Sequence, residues 1–100
     1  MIAFIEFNNI GLINDEAAIS VDSTGAISYE ITAGKKGVSF QNIGGKPAWY
    51  GGSTVNPATN RGNKLFANQS LVYKGTKSTF KIYFKCAAGE TTTIGVVSHD

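Results

Sequence analysis

An all-β fold is what this sequence predicts, and three observations carry that prediction. Short runs of β-branched and aromatic residues recur about every ten positions along the chain, with glycine, asparagine or aspartate clusters between them. No window of roughly eleven residues or more keeps an apolar stripe at helical spacing without a glycine interrupting it. The composition, 42% hydrophobic and 16% charged with twelve glycines against two prolines, describes a chain able to build a core. Its 100 residues suit one domain, residues 1–100. The architecture these signals predict is a single antiparallel β-sandwich, Ig-like or jelly-roll-like, of about seven or eight short strands.

The predicted strands cover residues 2–7, 17–21, 27–32, 38–43, 48–50, 70–73, 80–86 and 91–97. The clearest is 80–86, where Phe80, Ile82, Phe84 and Cys86 fall on one face and Lys81, Tyr83 and Lys85 on the other. After it, Ala87-Ala88-Gly89-Glu90 offers a reversal into 91–97, so a C-terminal hairpin is predicted. Asp22-Ser23-Thr24-Gly25 predicts a second hairpin, between 17–21 and 27–32. Gly34-Lys35-Lys36-Gly37 reads as a third turn, permissive of positive φ at both ends. One helical turn near 14–18 is the only helix predicted, and 51–63 is the longest loop.

Nine basic and seven acidic residues give a net charge of only +2, and the lysines form no block, which argues against strong nucleic-acid binding. Cys86 is the sole cysteine, so no intramolecular disulfide forms and a reducing cytoplasm is the expected site of synthesis. No secretion signal is read at residues 1–7, where Glu6 interrupts a short apolar run. No apolar run approaches the roughly 18 to 20 residues of a membrane span. Asn68-Gln69-Ser70 is a chance match to a glycosylation acceptor.

Chemistry-bearing constellations are few. A Cys86/His99 nucleophile pair is conceivable, but Cys86 continues a core face and His99 sits beside the chain end. Of the acids only Asp15 and Glu16 are adjacent, and neighbouring residues of an extended chain point apart. One cysteine and one histidine cannot make a zinc site, so neither metal nor cofactor is expected, and no catalytic residue is assigned. Gly44-Gly45-Lys46 and Gly51-Gly52-Ser53-Thr54 lack phosphate-loop spacing and read as turns. Trp49-Tyr50 predicts one ring in the core and one exposed beside a glycine-rich loop, a recognition candidate. Tyr73 and Tyr83, with Lys74, Lys81 and Lys85, offer a weaker candidate: a mixed basic and aromatic face for single-stranded nucleic acid.

The run Val38-Ser39-Phe40-Gln41-Asn42-Ile43-Gly44, then Trp49-Tyr50-Gly51-Gly52-Ser53-Thr54-Val55, then Arg61-Gly62-Asn63-Lys64-Leu65 resembles a pattern in small structural proteins of tailed bacteriophages. There a strand ending in Asn-Xaa-Gly precedes an aromatic-rich strand, a Gly-Gly-Ser-Val loop and a Gly-Xaa-Xaa-Leu segment. Residues 78–86 and 91–97 resemble that family's penultimate and closing strands, so the similarity covers roughly 38–97. Asn60-Arg61-Gly62 lengthens the loop, and Ala67-Asn68-Gln69 stands where the family has a Pro-Gly turn. The resemblance implies a non-enzymatic virion building block: a head decoration or minor capsid protein, a head–tail connector or a fibre-base module. It would be made in the host cytoplasm and would contact capsid, portal or tail proteins in a homo-oligomeric, symmetric assembly, with no nucleic acid or membrane partner. Trp49, Tyr50, Gly51, Gly52 and Tyr83 are the expected interface residues. The alternative is a carbohydrate-binding module in which these aromatics and the loop asparagines hold a host-surface glycan.

Overall fold

A computed structural model of the protein describes residues 13–75 and 77–99, so the strand predicted at 2–7 lies outside the described residues. Eight strands follow one another: β1 (Ile13–Val21), β2 (Ile27–Ile31), β3 (Gly37–Asn42), β4 (Ala48–Gly51), β5 (Asn63–Leu65), β6 (Ser70–Lys74), β7 (Phe80–Lys85) and β8 (Thr92–His99). A single turn of 3-10 helix, Pro57–Thr59, interrupts the β4–β5 connection. The strands form two four-stranded antiparallel sheets, ordered β1-β8-β3-β6 and β2-β7-β4-β5. Only β4 and β5 are both sequential and paired; every other connection passes from one sheet to the other.

Alternation along each strand gives each sheet one apolar face. Ile19, Val21, Val38, Phe40, Ile94 and Val96 come from the first sheet; Ile31, Ala48, Leu65, Ile82 and Phe84 come from the second, and all join one buried cluster with Cys86. Phe40 is its centre, with no exposed surface. The Phe84 ring meets it from the other sheet at 5.6 Å between centroids, while Tyr29 and Tyr73 approach edge-on at 5.6 and 6.2 Å. Such tilted and edge-on pairs suit the ring quadrupoles, and burying a phenylalanine contributes about 1.5–3 kcal/mol.

Three local expectations are overturned. The sequence predicts hairpins at 22–25 and 87–90, yet β1 pairs with β8 and β2 with β7, so both turns carry the chain between sheets. Each flanking strand has its own apolar face to cover, and crossing the core buries both faces where a hairpin would leave them side by side. The helical turn expected at 14–18 lies inside β1, whose ladder to β8 pairs Ala17 with Val96 and Ala18 with Gly95. The Gly34–Gly37 turn stands where expected, between β2 and β3, with positive φ at Gly34 alone, 89°, because Gly37 already belongs to β3 and pairs with Lys74 and His99.

Candidate functional site

The outer face of the second sheet differs from its apolar inner face. On β7, Lys81, Tyr83 and Lys85 alternate with the buried Ile82 and Phe84, and on β4 Trp49 alternates with the buried Ala48. Register sets these side chains in rows. Lys85 and Lys64 lie directly opposite Trp49 on its two neighbouring strands, Tyr83 stands between Ser28 and Gly51, and Lys81 faces Glu30. The Lys64 ammonium is 5.8 Å from the centroid of the Trp49 ring and 5.0 Å from that of Phe66, so it stands between two aromatic surfaces.

β4 is held by its ladders to β5 and β7, and the loop leading into it is braced by Asn42, fully buried at the end of β3. Its amide nitrogen donates to the carbonyls of Lys46 (2.8 Å) and Leu65 (3.0 Å), while its Oδ1 accepts from the Gly44 N–H (3.1 Å) and the Thr92 hydroxyl (2.7 Å). Its backbone bonds to Gln69 and Asn68 as well. One side chain thus ties the β3–β4 loop to the ends of β5 and β8 with every polar capacity used. Gly44 is glycine for a steric reason: a Cβ there would collide with Thr92 Oγ1 and stand 2.8 Å from the Thr93 nitrogen. The Asn-Xaa-Gly pattern is therefore a corner brace.

The long loop is itself ordered by local bonds. Asn56 and Arg61 exchange backbone hydrogen bonds of 2.9 and 3.0 Å, the Asn56 side chain accepts from the Ala58 N–H at 3.1 Å, and Asn60 takes a left-handed conformation to close the 3-10 turn. Val55 is buried by this fold-back, and its side chain reaches toward Gly51 and Gly62. Of the loop asparagines expected as sugar contacts, Asn56 and Asn60 thus serve first to shape the loop, and Asn63 opens β5 opposite Tyr50.

The result is an open cleft of about 380 Å³ beside Trp49, lined also by Pro47, Pro57, Lys64 and Glu90. Both of the chain's prolines and its only tryptophan meet there. A smaller hollow of about 140 Å³ shares Pro57, Ala58, Ala87 and Ala88 and adds Lys85, Asn56 and Ser23. Two clefts of comparable size lie elsewhere. One, about 440 Å³, contains Tyr29, whose ring is engaged with Phe40; the other, about 450 Å³, is lined by small and polar residues around Gly44 and Thr92.

Of the five expected interface residues, Trp49 and Tyr83 lie on the outer face, both half-buried, and Gly52 is exposed after β4. Tyr50 packs against the core from the inner face, as the alternation of Trp49 and Tyr50 requires, so Trp49 is the outward ring. Gly51 is half-covered, its outer side within van der Waals reach of Gly62 and Val55. Sequence reasoning did not single out Lys64, Pro47, Pro57 or Glu90; only the nearness of Pro47 to Trp49 pointed to any of them. Tyr73 turns inward on β6 toward Phe40 and Phe80, so it shares no face with Tyr83 and the nucleic-acid platform does not assemble.

The Cys86/His99 pair is not brought together. Cys86 follows β7, with its thiol directed at the Val21 carbonyl (3.6 Å) beside the Thr92 end of β8; His99 is at the other end of that strand, roughly 23 Å away at about 3.3 Å per residue. Burial raises the Cys86 thiol above its ordinary range, with the charges of Glu90 and Asp22 acting in the same direction, the opposite of what a nucleophile needs. Among the described residues no three histidine, cysteine or acidic side chains could hold a metal ion, and no helix is long and apolar enough to cross a membrane. Compared with known proteins, the chain matches no family, no curated protein and no solved structure, so the geometry of this face and the sequence pattern carry the functional reading.

Proposed function

We propose that the protein is a jelly-roll β-sandwich that serves as a non-enzymatic structural module of a bacteriophage virion, docking through the outer face of its second sheet into a symmetric assembly. The strand orders β1-β8-β3-β6 and β2-β7-β4-β5, with all links but one crossing between sheets, support jelly-roll over Ig-like connectivity. Double-sheet jelly rolls serve as capsid and lectin domains. The observation that carries the reading is the outer face itself: Trp49 and Tyr83 half-exposed on the two central strands, with Gly52 beside them. Large, stiff aromatics on a sheet face bury much area at small entropic cost, and symmetry multiplies modest contacts into firm attachment. The phage pattern in residues 38–97 supports placing that attachment in a virion.

Quantitative mass spectrometry of purified particles from the phage that encodes the chain tests this. A copy number that is a multiple of the particle's symmetry order is expected, falling severalfold for Tyr83→Ala while that variant stays folded. A chain missing from particles, or normal incorporation of the folded variant, overturns the proposal.

A further inference from the structure

We infer that the cleft beside Trp49 binds a short acidic oligosaccharide. This goes beyond the assembly reading and does not rest on it: the cleft shares Trp49 with the proposed docking face, but its binding is read on the free chain.

The cleft is lined by a half-buried indole ring, by Pro47, Pro57 and the alanines at 58, 87 and 88, which offer no side-chain hydrogen bonds, and by two charged groups, Lys64 and Glu90. The adjoining hollow adds Lys85, Asn56, Ser23 and Cys86. An apolar aromatic platform with a few polar groups beside it fits a ligand with one apolar face and a polar edge, which is the form of a pyranose ring, its C–H bonds on one side and its hydroxyls around the circumference.

Charge then narrows the class. Lys64 and Lys85 flank the ring from strands about 9.6 Å apart, two strand spacings, against a single carboxylate at Glu90. A neutral sugar leaves this excess positive charge unused; one bearing a carboxylate or phosphate pairs with it. Lys64, whose ammonium is 5.8 Å from the centroid of the indole, is within reach of an acidic substituent on a ring bound beside Trp49.

Size and ring count favour this class over the other polyanions. A volume of about 380 Å³ extended by a hollow of about 140 Å³ matches a small ligand rather than a protein surface. Single-stranded nucleic acid needs successive rings on which to stack its bases, and Trp49 is the one aromatic lining either hollow.

Because Trp49 is the chain's only tryptophan, its emission reports directly on the cleft. The test titrates the purified chain with trigalacturonate, a sialylated trisaccharide and a phosphorylated trisaccharide, with maltotriose as the neutral control and oligodeoxythymidylate as the nucleic-acid control. A saturable emission change is expected with at least one acidic sugar, about tenfold tighter than with maltotriose. Lys64→Gln and Lys85→Gln, whose side chains lie outside the core, should each weaken it by a similar factor of about ten in calorimetry with the fold intact. The inference is overturned if no acidic sugar binds, if maltotriose or the oligonucleotide binds as tightly, or if both lysine variants bind unchanged.

Discussion

Asn42 shows how much of this architecture rests on single side chains. Its four side-chain hydrogen bonds join the β3–β4 loop, β5 and β8, and removing it would strand two carbonyls, an N–H and a hydroxyl in a buried corner. Each such group costs about 1–3 kcal/mol, so Asn42→Ala should lose at least 3 kcal/mol or so in denaturant unfolding, a large part of a small domain's stability. A loss under about 1 kcal/mol would mean that water or a shift of the loop replaces those bonds. The Asn-Xaa-Gly pattern was visible in the sequence, but its role was not, because Thr92 and Leu65 lie 50 and 23 positions away. Asp22 offers a pH readout at the same scale. Hydrogen bonds from the Thr24 hydroxyl (2.8 Å) and then the Thr24 N–H (2.9 Å) hold its carboxyl below the usual aspartate range. A depressed folded-state pKa adds stability that is complete above the ordinary value near 4 and is lost as pH falls through the folded one. Asp22→Asn should therefore melt below the wild type at pH 7 and converge with it as the pH falls below the ordinary aspartate range; a constant gap would rule out this linkage.

At the scale of elements, period-two alternation made most strands legible. The residues 80–86 were assigned to core and solvent faces correctly in the middle of β7, where Ile82 and Phe84 are buried, although Phe80 at its start is 37% exposed. Partners were less legible. A tight polar turn has the same residues whether it closes a hairpin or carries the chain across a core, so 22–25 and 87–90 gave the reversal without the destination. β5 escaped notice because it has three residues, two of them exposed and polar, and owes its place to pairing with β4 and to the Asn42 bond at Leu65. The loop before it depends on Gly62, which has φ of 111° and leaves no room for a Cβ, the Tyr50 oxygen and Val55 Cγ2 both lying 2.7 Å from where one would be. Gly62→Ala should cost about 1–3 kcal/mol and alter Trp49 emission, since the loop forms one wall of its cleft. An unchanged melting temperature and spectrum would show that the loop does not shape the site.

For the whole molecule, two sheets share one core, yet their connectivity could not be read from strand spacing alone. The pairing of β1 with β8, the first and last strands described, joins residues such as Val21 and Thr92 that no local signal links. The same closure turns the apolar residues inward and leaves Trp49, Tyr83 and three lysines on one outer face. The aromatic half of that face was legible as strand alternation; the cleft was not, because its lining comes from three separate connections, with Pro47, Pro57–Ala58 and Ala87–Glu90 brought beside Trp49 only by the fold. Lysine footprinting of the chain, free in solution and inside purified particles, tests most directly whether this face is the docking surface. Lys81 and Lys85 should lose reactivity severalfold on assembly, while Lys35 and Lys36, in the turn between β2 and β3, stay as reactive as in the free chain. Equal labelling of all four lysines in the two states, or protection confined to Lys35 and Lys36, would contradict it.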